Sequence, residues 1–573
     1  MEKIEVGEIQ VERLDDIPII FGLLQNMHIE AIIDQVIEPH GNWKGLSPGW
    51  IITIWLVHIL SEHNHNMDRV QEWVAKRLQT LRALTGQALT ELDFTDDRLA
   101  LCLGKLSQIN IWQPIEAHLS RHLVRVYRLG AEPTVRLDAT TGTVNHDPDK
   151  HPLFQVGKAK NGQYETQYKL MLASLDPLGL TLAVDVVSGE RADDPLYLPC
   201  YRRVKQVLSE KGILVVGDSK MSAFSTRAAI AAGADFYLTP LAHLKDEPKL
   251  LEELLAPWVE REEEMERTFL PEDGLDPDPE LAISHGFEVR RTQESEVDGQ
   301  TEVWIERLLV VRSHQYEKTI KKGLHHRMEK AEKALKALTP ARSRGKRQIK
   351  DEANLLSAIH RIEERYRVKG LFDYHYEQEV SERQVQAYGD KPARTERQIR
   401  FQLTVERNSE AIAETEFRAG WRIYATNAPA EQLSLDRAVL AYRDQYIEEN
   451  IFRRLQGKIL SITPVYVQRD DHAKGLFHLL TLAARLLALG DHLAKITLAQ
   501  EQTELAGIYP GNPKRSTATP TTERMLAAFD NIHLTVIPVA GQLHYQVTPL
   551  TAVQHRILKL WELSDTLYTQ FFA

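Results

Sequence analysis

The sequence predicts an α/β protein in which a mixed-sheet core is interrupted by a large α+β insertion and preceded by an all-α domain. Three observations support this class. Apolar residues recur at helical spacing from residue 18 to 125, β-rich runs follow from residue 134, and strand and helix patterns then alternate to residue 240. With 573 residues, 43% hydrophobic and 26% charged, the composition is that of a globular protein, which excludes a collagen-like or wholly disordered chain.

The N-terminal region is predicted to be helical. Apolar residues lie three and four apart in IPIIFGLLQNMHIEAIIDQVI, and Gly and Pro interrupt the pattern in GNWKGLSPGW. Two helices are predicted over Trp50–Glu62 and Met67–Thr85, and Thr95 is predicted to cap another. The apolar run Ile51–Leu60 is shorter than the roughly 20 residues that span a bilayer, so we expect a buried helix and no membrane segment.

The core is predicted to begin where the pattern changes near Glu132. A first strand is predicted over PTVRLDATT, and a hairpin over YKLMLASLDPLG and LTLAVDVVSGE, joined by a Pro-Gly turn. There follow the helix PLYLPCYRRVKQVLSEKG, the buried strand ILVVGDS, the helix SAFSTRAAIAAG and the strand ADFYLTPL. A three-strand meander followed by crossovers is the mixed sheet of the ribonuclease H-like fold.

The rest of the chain completes this unit after a long interruption. A long helix is predicted from Ser434 to about Gly457, and GLFHLLTLAARLLALGDHLAKI is predicted to be a buried core helix. We therefore divide the chain into a helical N-terminal domain (1–125), the first part of the core (126–245), an insertion domain of strands and basic helices (246–430), the second part of the core (431–500) and a C-terminal α/β tail (501–573).

Charge and cysteine content restrict the function further. Two cysteines form neither a disulfide framework nor a four-cysteine zinc site, and the charged N-terminus is not a secretory signal, so a reducing cytoplasm is expected. The net charge of −11 is uneven, because 246–282 carries 14 acidic and 3 basic residues, whereas 318–369 carries 16 basic and 6 acidic. A charge run can be merely a solvated face, but this basic stretch predicts a phosphate-contacting surface.

Two aspartates mark a candidate site. Asp138 and Asp218 each follow apolar residues and are each predicted to end a core strand, where side chains open into a crevice. Either alone could cap the following loop, but two on neighbouring strands favour a functional site, since a buried carboxylate needs a partner. Carboxylates suit Mg²⁺, and two such ions can activate a water or 3′-hydroxyl group at a phosphodiester. A third carboxylate is expected on the long helix, where Glu448 and Glu449 are adjacent.

In this order the motifs resemble those of the DDE transposases of bacterial insertion sequences. The resemblance is closest to the insertion-sequence-four superfamily, whose third motif is Tyr-x2-Arg-x3-Glu-x6-Lys. The segments that carry it are VRLDATT, the loop VVSGERADD, VVGDSKMSAFSTRAAIAAGADFYLTPL and YRDQYIEENIFRRLQGK. The helical N-terminal region and the tail PGNPKRSTATPTTERMLAAF resemble one branch of that superfamily, so the resemblance covers nearly the whole chain.

The third motif departs from the family pattern at two positions. Registered on Tyr442, it places the glutamate at Glu449 and gives Gln445 and Gln456 where the family has Arg and Lys. The family's Tyr, Arg and Lys are thought to hold DNA phosphates, so the resemblance implies DNA binding at Tyr442. Gln can hydrogen-bond a phosphate but carries no charge. The cations that could substitute are Arg453, Arg454 and Lys458.

Helical periodicity alone does not choose between Glu448 and Glu449. An apolar stripe that lies nearer to Glu448 consists of Leu440, Ile447, Ile451 and Leu455. A second face, with Glu449 in its middle, consists of Tyr442, Gln445, Phe452 and Gln456. A helix inside a large protein can be contacted on both sides, so both glutamates stay open, and the resemblance favours Glu449.

The resemblance implies a transposase that moves an insertion sequence by cut and paste. Asp138, Asp218 and Glu449 would hold two Mg²⁺ ions, with Mn²⁺ as substitute, for hydrolysis at terminal inverted repeats and strand transfer to target DNA. The implied partners are these DNAs, bound by a homodimer, with end binding on the helical N-terminal region and the basic helices of 318–369. We expect a bacterial, nucleoid-associated cytoplasmic location and, without a Walker motif, no nucleotide cofactor.

Other interpretations stay open. Gln445 and Gln456 favour a catalytically decayed transposase that only binds DNA ends, and the core would also suit a ribonuclease H-like nuclease that cuts but never joins. The histidines of HILSEHNH are predicted to be helix and turn residues rather than metal ligands. Trp421 could stack on an extruded base, although a buried strand position is the interpretation we favour.

Overall fold

The computed structural model describes residues 8–39, 41, 43–129, 133–159, 162–242, 247–258, 261–274, 277–340, 349–386, 394–539 and 542–572. Its helices and strands are, in chain order, β1 (Gln10–Arg13), α1 (Ile17–Asn26), α2 (Ile29–Val36), α3 (Pro48–Glu62), α4 (Val70–Ala75), α5 (Leu78–Thr85), α6 (Asp96–Leu106), α7 (Ile109–Val126), β2 (Thr134–Thr143), β3 (Gln155–Lys158), β4 (Tyr164–Leu175), β5 (Leu180–Ser188), α8 (Asp194–Val207), β6 (Leu214–Gly217), α9 (Phe224–Ala232), β7 (Phe236–Pro240), α10 (Glu247–Leu255), β8 (Glu266–Thr268), β9 (Ser284–Val297), β10 (Gln300–Ser313), α11 (His314–Lys336), α12 (Glu352–Tyr366), β11 (Phe372–Val385), β12 (Arg394–Arg407), α13 (Ser409–Phe417), β13 (Trp421–Thr426), α14 (Leu435–Arg443), α15 (Tyr446–Gln456), α16 (Asp470–Glu501), β14 (Leu505–Ala506), β15 (Ser516–Thr517), α17 (Thr522–Leu526), β16 (His533–Val539), β17 (Gln542–Val547), α18 (Ala552–Leu560) and α19 (Thr566–Thr569).

The predicted helical N-terminal region is confirmed by α1 to α7. The first apolar stretch is not one helix, because His28, with a φ of +56°, separates α1 from α2 and their axes differ by 55°. Helix α3 is buried along almost its whole length, as its apolar sequence predicts. Strand β1 pairs with β16, which attaches the N-terminal region to the C-terminal tail.

The central sheet has the predicted meander and crossovers. Strands β2, β4 and β5 are antiparallel neighbours, and β6 and then β7 lie parallel on the other side of β2. Strand β3, which the sequence pattern did not indicate, pairs with the first residues of β4. Helices α8 and α9 make the crossovers and contact each other, whereas α14 packs in a separate cluster with Val216 of β6 and Leu238 of β7. The two parallel strands are therefore buried, and their residues are mostly apolar.

The strands of the 246–430 segment extend this same sheet. Strand β13 pairs antiparallel with β7, and β10, β9 and β8 follow in that order. Helices α11 and α12 instead pack on the β11–β12 hairpin around a separate apolar cluster that includes Met328, Leu355 and Phe401. The segment therefore contributes both an extension of the core sheet and a small unit with its own core.

The prediction of one long helix from Ser434 to Gly457 is wrong, because the structure has two helices there, α14 and α15, which are separated at Asp444 and Gln445. The two helices bury different surfaces: Leu435 and Ala438 of α14 join a cluster with β6, β7 and β10, whereas Ile447 and Ile451 of α15 pack on the turn between β4 and β5. The two halves of the predicted helix are therefore separate elements with separate packing surfaces.

Helix α16 is the predicted core helix. Among the described residues it is the one single helix long and apolar enough to cross a membrane, and α1 with α2 passes that test as a bent pair. Within α16, 94% of the apolar window is buried in the protein. Its apolar surface is therefore covered by its neighbours, which include α3, α6 and β5.

Candidate active site

Parallel pairing of β2 with β6 brings the two predicted aspartates together. Leu137 of β2 pairs with Gly217 of β6, and Asp138 and Asp218 are the next residues on their chains. Neighbouring strands lie about 4.8 Å apart, so the two residues lie side by side. Asp138 does not end its strand as predicted, because β2 continues to Thr143 by pairing with β4 after β6 has stopped.

Hydrogen bonds orient both carboxylates. Asp218 Oδ1 accepts a hydrogen bond from the Tyr197 hydroxyl at 2.6 Å and another from the Lys220 backbone N–H at 2.8 Å. Asp138 Oδ1 accepts from the Ala139 N–H at 2.8 Å. Burial, and next the charge of Asp218, raise the pKa of Tyr197 well above its ordinary value, so its hydroxyl group stays protonated and donates.

The aspartates open into a cleft of about 640 Å³ between the sheet and α15. Its lining residues are Asp138, Ala139, Thr140, Asp193, Tyr197, Asp218, Gln445, Glu449, Phe452, Arg453, Gln456 and Gly457. Glu449 is exposed and lies on this wall with Gln445, Phe452 and Gln456, so the face that the sequence grouped around Glu449 does face the cleft, although Tyr442 is not among its lining residues.

Glu448 has the opposite environment. Its side chain is only 4% exposed, and its Oε1 has no hydrogen-bond partner among the described residues. Burial, and next the negative charge of Asp138, raise the pKa of Glu448 well above its ordinary value, against the opposing charge of Arg136. A carboxyl group in this environment keeps its proton unless a cation takes the proton's place.

Tyr442 lies in a neighbouring cleft of about 620 Å³, between α14, β13 and the start of α11. Its ring meets that of Tyr424 edge-on, with centroids 4.9 Å apart, and Arg422 lies 4.2 Å from the ring centre of Tyr316. Burial raises the pKa of Tyr442. Lys318 and Arg443 also line this cleft, so Tyr442 belongs to an aromatic and basic surface beside the aspartates.

The cations that could replace the missing Arg and Lys are not equivalent. Arg454 is held by Asp491 at 2.5 Å and by Glu523 at 2.8 Å. Arg453 is exposed on the cleft wall, where it contacts the Asn450 side chain. Of the two arginines, Arg453 is therefore the one that faces the cleft.

Two supporting ion pairs were not foreseen. Arg136, 1% exposed, donates from Nε and Nη2 to the Asp176 carboxylate at 2.7–2.9 Å, and from Nη2 to the Ala441 carbonyl oxygen at 2.7 Å. Lys169 donates to Asp193 at 2.5 Å beside the cleft. The signal for the first was present in the sequence, because an arginine within the buried run TVRLD requires a partner.

Comparison with known families identifies the chain. Residues 130–486, more than half of its length, match the family model described as transposase DDE domain. The chain belongs to this family of transposases. Residues 9–117 match a second family model, described as a domain of unknown function (DUF4277). The predicted DDE transposase is thereby confirmed at the level of the family.

Two further comparisons add little. No match is found among curated proteins. Among solved structures, a cryo-EM structure of a piggyBac transposase synaptic complex with hairpin DNA is similar at 11% sequence identity, with a TM-score of 0.26. That similarity covers 54% of this transposase and 61% of the other chain.

The carboxylates of the transposase fit a divalent cation. The donors at the cleft are carboxylate oxygens, which Mg²⁺ prefers, and the buried Glu448 Oε1 accepts no hydrogen bond among the described residues. As the side chains stand, no three His, Cys, Asp or Glu residues in the described ranges converge closely enough to hold a metal ion. Binding of a metal ion by three of them therefore requires other side chains at the cleft to move toward Asp218.

The remaining sequence candidates have structural roles. His58 is buried against Trp73, and burial lowers its pKa to about 4. His65 Nε2 lies 3.0 Å from the Ser461 carbonyl oxygen, and His63 ends α3. Trp421 is 6% exposed and donates from Nε1 to the Phe417 carbonyl oxygen, so it is the buried strand residue that the sequence favoured.

Proposed function

We propose that this transposase cuts DNA at the terminal inverted repeats of an insertion sequence and joins the ends to target DNA. The observation that carries the proposal is the parallel pairing that sets Asp138 beside Asp218 at one cleft, with Glu449 on the opposite wall. In this proposal the core is ribonuclease H-like, and the family branch is the insertion-sequence-four superfamily.

Asp138, Asp218 and Glu449 are the carboxylates that we assign to two Mg²⁺ ions, for which Mn²⁺ can substitute. Bound there, such ions activate a water or a 3′-hydroxyl group and stabilise the leaving oxygen of a phosphodiester. Glu449 is exposed on the cleft wall, whereas Glu448 is buried and its surroundings raise its pKa, which favours the protonated form. For this reason we keep Glu449 as the third carboxylate and make Glu448 the alternative.

The chain's own polar groups would hold the DNA. Arg453 on the cleft wall can meet a phosphate, and Gln445 can donate a hydrogen bond to one. Gln456 donates from Nε2 to the Thr141 carbonyl oxygen at 3.3 Å, so one of its two amide hydrogens is already used within the protein. Tyr442 would contribute from the adjacent basic cleft.

A basic face of α11 is the surface that we assign to the flanking duplex. The exposed residues Lys318, Lys322, Lys330 and Lys333 lie on one side of this helix and, within the described chain, form no ion pair. They span about 22 Å at 1.5 Å per residue, enough to follow several phosphates along a DNA strand. With the helical N-terminal region, this face would bind the DNA ends in a homodimer.

An excision assay tests the proposal. A marker is placed between the DNA ends that flank the gene, and wild type, Asp138→Ala or Asp149→Ala is supplied in trans. Asp149 is an exposed aspartate in the loop after β2 and serves as the matched control. We expect clean excision with wild type and Asp149→Ala only. Excision that persists in Asp138→Ala would contradict the proposal.

A second function is favoured by the uncharged residues Gln445 and Gln456 on the cleft wall. It is that of a decayed transposase that binds DNA ends without cutting them. It predicts no excision with any of the three proteins, together with a gel shift on the terminal repeats that Asp138→Ala retains. A nuclease would instead release cut ends that never appear in a target.

A further inference from the structure

One buried hydroxyl group touches a carboxylate of the candidate site. Tyr197 of α8 is 1% exposed, and its Oη donates to Asp218 Oδ1 at 2.6 Å. The Lys220 backbone N–H donates to the same oxygen at 2.8 Å. Within the described chain Asp218 Oδ2 accepts no hydrogen bond, so the two oxygens of this carboxylate differ in environment.

The two donors restrict how the Asp218 side chain can turn. The Lys220 N–H belongs to the turn directly after β6, and the Tyr197 hydroxyl group comes from a helix packed on the sheet. Rotation of the carboxylate about its bond to Cβ would break both hydrogen bonds at once. Oδ1 is thereby reserved for protein donors, and Oδ2 is the oxygen that is left for a ligand.

We propose that Tyr197 is a positioning residue that fixes the Asp218 carboxylate so that Oδ2 is presented to a divalent cation. The inference rests on the proposed function, because it assumes that Asp218 binds metal. Residues that orient a metal ligand in this way typically change metal affinity by about 10- to 100-fold when they are replaced. Tyr197→Phe removes the hydroxyl group and keeps the ring that fills the space.

The chain provides a matched control four residues later on the same helix. Tyr201 is also buried, and its Oη donates to Asp235 Oδ2 at 2.6 Å. Asp235 is fully buried at the start of β7, accepts from the Ile213 N–H at 3.1 Å and does not line the cleft. Tyr201→Phe therefore removes an equivalent Tyr–Asp hydrogen bond away from the candidate site.

The test measures Mn²⁺ binding to full-length protein by the electron paramagnetic resonance signal of free Mn²⁺. We expect Tyr197→Phe to raise the Kd for Mn²⁺ by about 10- to 100-fold, and Tyr201→Phe to leave it unchanged. In single-turnover cleavage of terminal-repeat DNA, Tyr197→Phe should raise the half-saturating Mg²⁺ concentration by a similar factor. The rate at saturating Mg²⁺ should fall less, and metal-free binding to the same DNA should not change.

Equal Mn²⁺ affinity in wild type and folded Tyr197→Phe would overturn the inference, as would equal weakening by both tyrosine variants. Asp218→Asn separates this failure from failure of the proposed site. If Asp218→Asn binds Mn²⁺ as wild type does, the assignment of Asp218 as a metal ligand and the inference are both wrong. If Asp218→Asn loses Mn²⁺ binding while Tyr197→Phe retains it, only the inference is wrong.

A second measurement covers the case in which Tyr197→Phe does not fold, as judged by circular dichroism. 3-Fluorotyrosine at position 197 retains the hydroxyl group, and its ¹⁹F resonance should shift on titration with Mg²⁺. The same label at position 201 should not respond. A ¹⁹F resonance at position 197 whose chemical shift does not change at saturating Mg²⁺ would overturn the inference.

Discussion

Replacing Glu448 or Glu449 with Gln removes a carboxyl group from one of two adjacent residues of the same helix that differ in surroundings. Glu449 is exposed on the cleft wall, whereas Glu448 is 4% exposed with an unpaired Oε1. We expect Glu449→Gln to abolish cleavage without changing stability, and Glu448→Gln to preserve cleavage while changing how stability depends on pH. The two variants are thus controls for each other.

The expected loss in Glu449→Gln follows from its proposed role. Replacing a residue that only orients a metal ligand typically lowers metal affinity or activity by about 10- to 100-fold. Removal of a ligand itself should therefore slow cleavage by more than about 100-fold. At about 1.36 kcal/mol for each factor of ten, this exceeds about 2.7 kcal/mol of transition-state stabilisation. Because Glu449 is exposed, the free energy of unfolding should stay within about 0.5 kcal/mol of wild type.

The expected effect of Glu448→Gln follows from the raised pKa of the buried carboxyl group. In metal-free protein the folded state keeps this proton, whereas the unfolded chain releases it above an ordinary Glu pKa of 4.5. The folded state therefore loses stability as pH rises from 4.5 toward the folded pKa, by up to about 1.36 kcal/mol per pH unit. Glu448→Gln lacks this loss, so its free energy of unfolding relative to wild type should increase as the pH rises from 6 to 8.

Three measurements decide between the two residues: single-turnover cleavage of terminal-repeat DNA, urea unfolding at pH 6, 7 and 8, and calorimetry of Mn²⁺ binding in buffers of different ionisation enthalpy. If Glu449 is the ligand, Glu448 keeps its proton, and Mn²⁺ binding at pH 7 should release about zero protons per ion from Glu448. Loss of cleavage in Glu448→Gln but not in Glu449→Gln, with about one proton released per ion, would refute the assignment and make Glu448 the third carboxylate.

Three further perturbations test separate parts of the account. Lys318→Ala should make the fall of log affinity with log salt less steep by about 1 for binding to the DNA ends. Lys336 already pairs with Glu332, so Lys336→Ala should change this slope less. Gel shifts at several salt concentrations measure both slopes. Arg136→Met leaves the mostly buried Asp176 without its partner and should cost about 3–5 kcal/mol in urea unfolding, and a loss below about 1 kcal/mol would contradict this. Gln456→Lys adds a cation at the cleft wall and should tighten end binding and raise the cleavage rate; an unchanged affinity would show that this position does not meet phosphate.

The arrangement of the aspartates was predictable because it depends on short patterns. Each follows an apolar run, and the order of strands and helices between them requires a right-handed crossover that returns the chain to the neighbouring strand. The hairpin of β4 and β5 was equally local, since a Pro-Gly turn joins two β-rich runs. These features need no contact between distant residues to be recognised.

The division between α14 and α15 was not predictable in the same way. No Gly or Pro separates Leu435 from Gln456, so the sequence pattern is that of one continuous helix. Carrying a single helical phase across Asp444 then groups Tyr442 with Glu449, although Tyr442 lines the neighbouring cleft. What divides the helix is that its two halves pack on different surfaces, which is information that the local pattern does not contain.

The charge of the cleft wall likewise depends on distant contacts. The sequence offers adjacent arginines, and nothing local distinguishes Arg453 from Arg454. The distinction comes from Asp491 of α16 and Glu523 of α17, which bind Arg454 and leave Arg453 facing the cleft. A count of basic residues near Glu449 therefore overstates the positive charge that faces the cleft. The proposed activity consequently depends on Arg453 more than the family pattern, with its own Arg and Lys, would suggest.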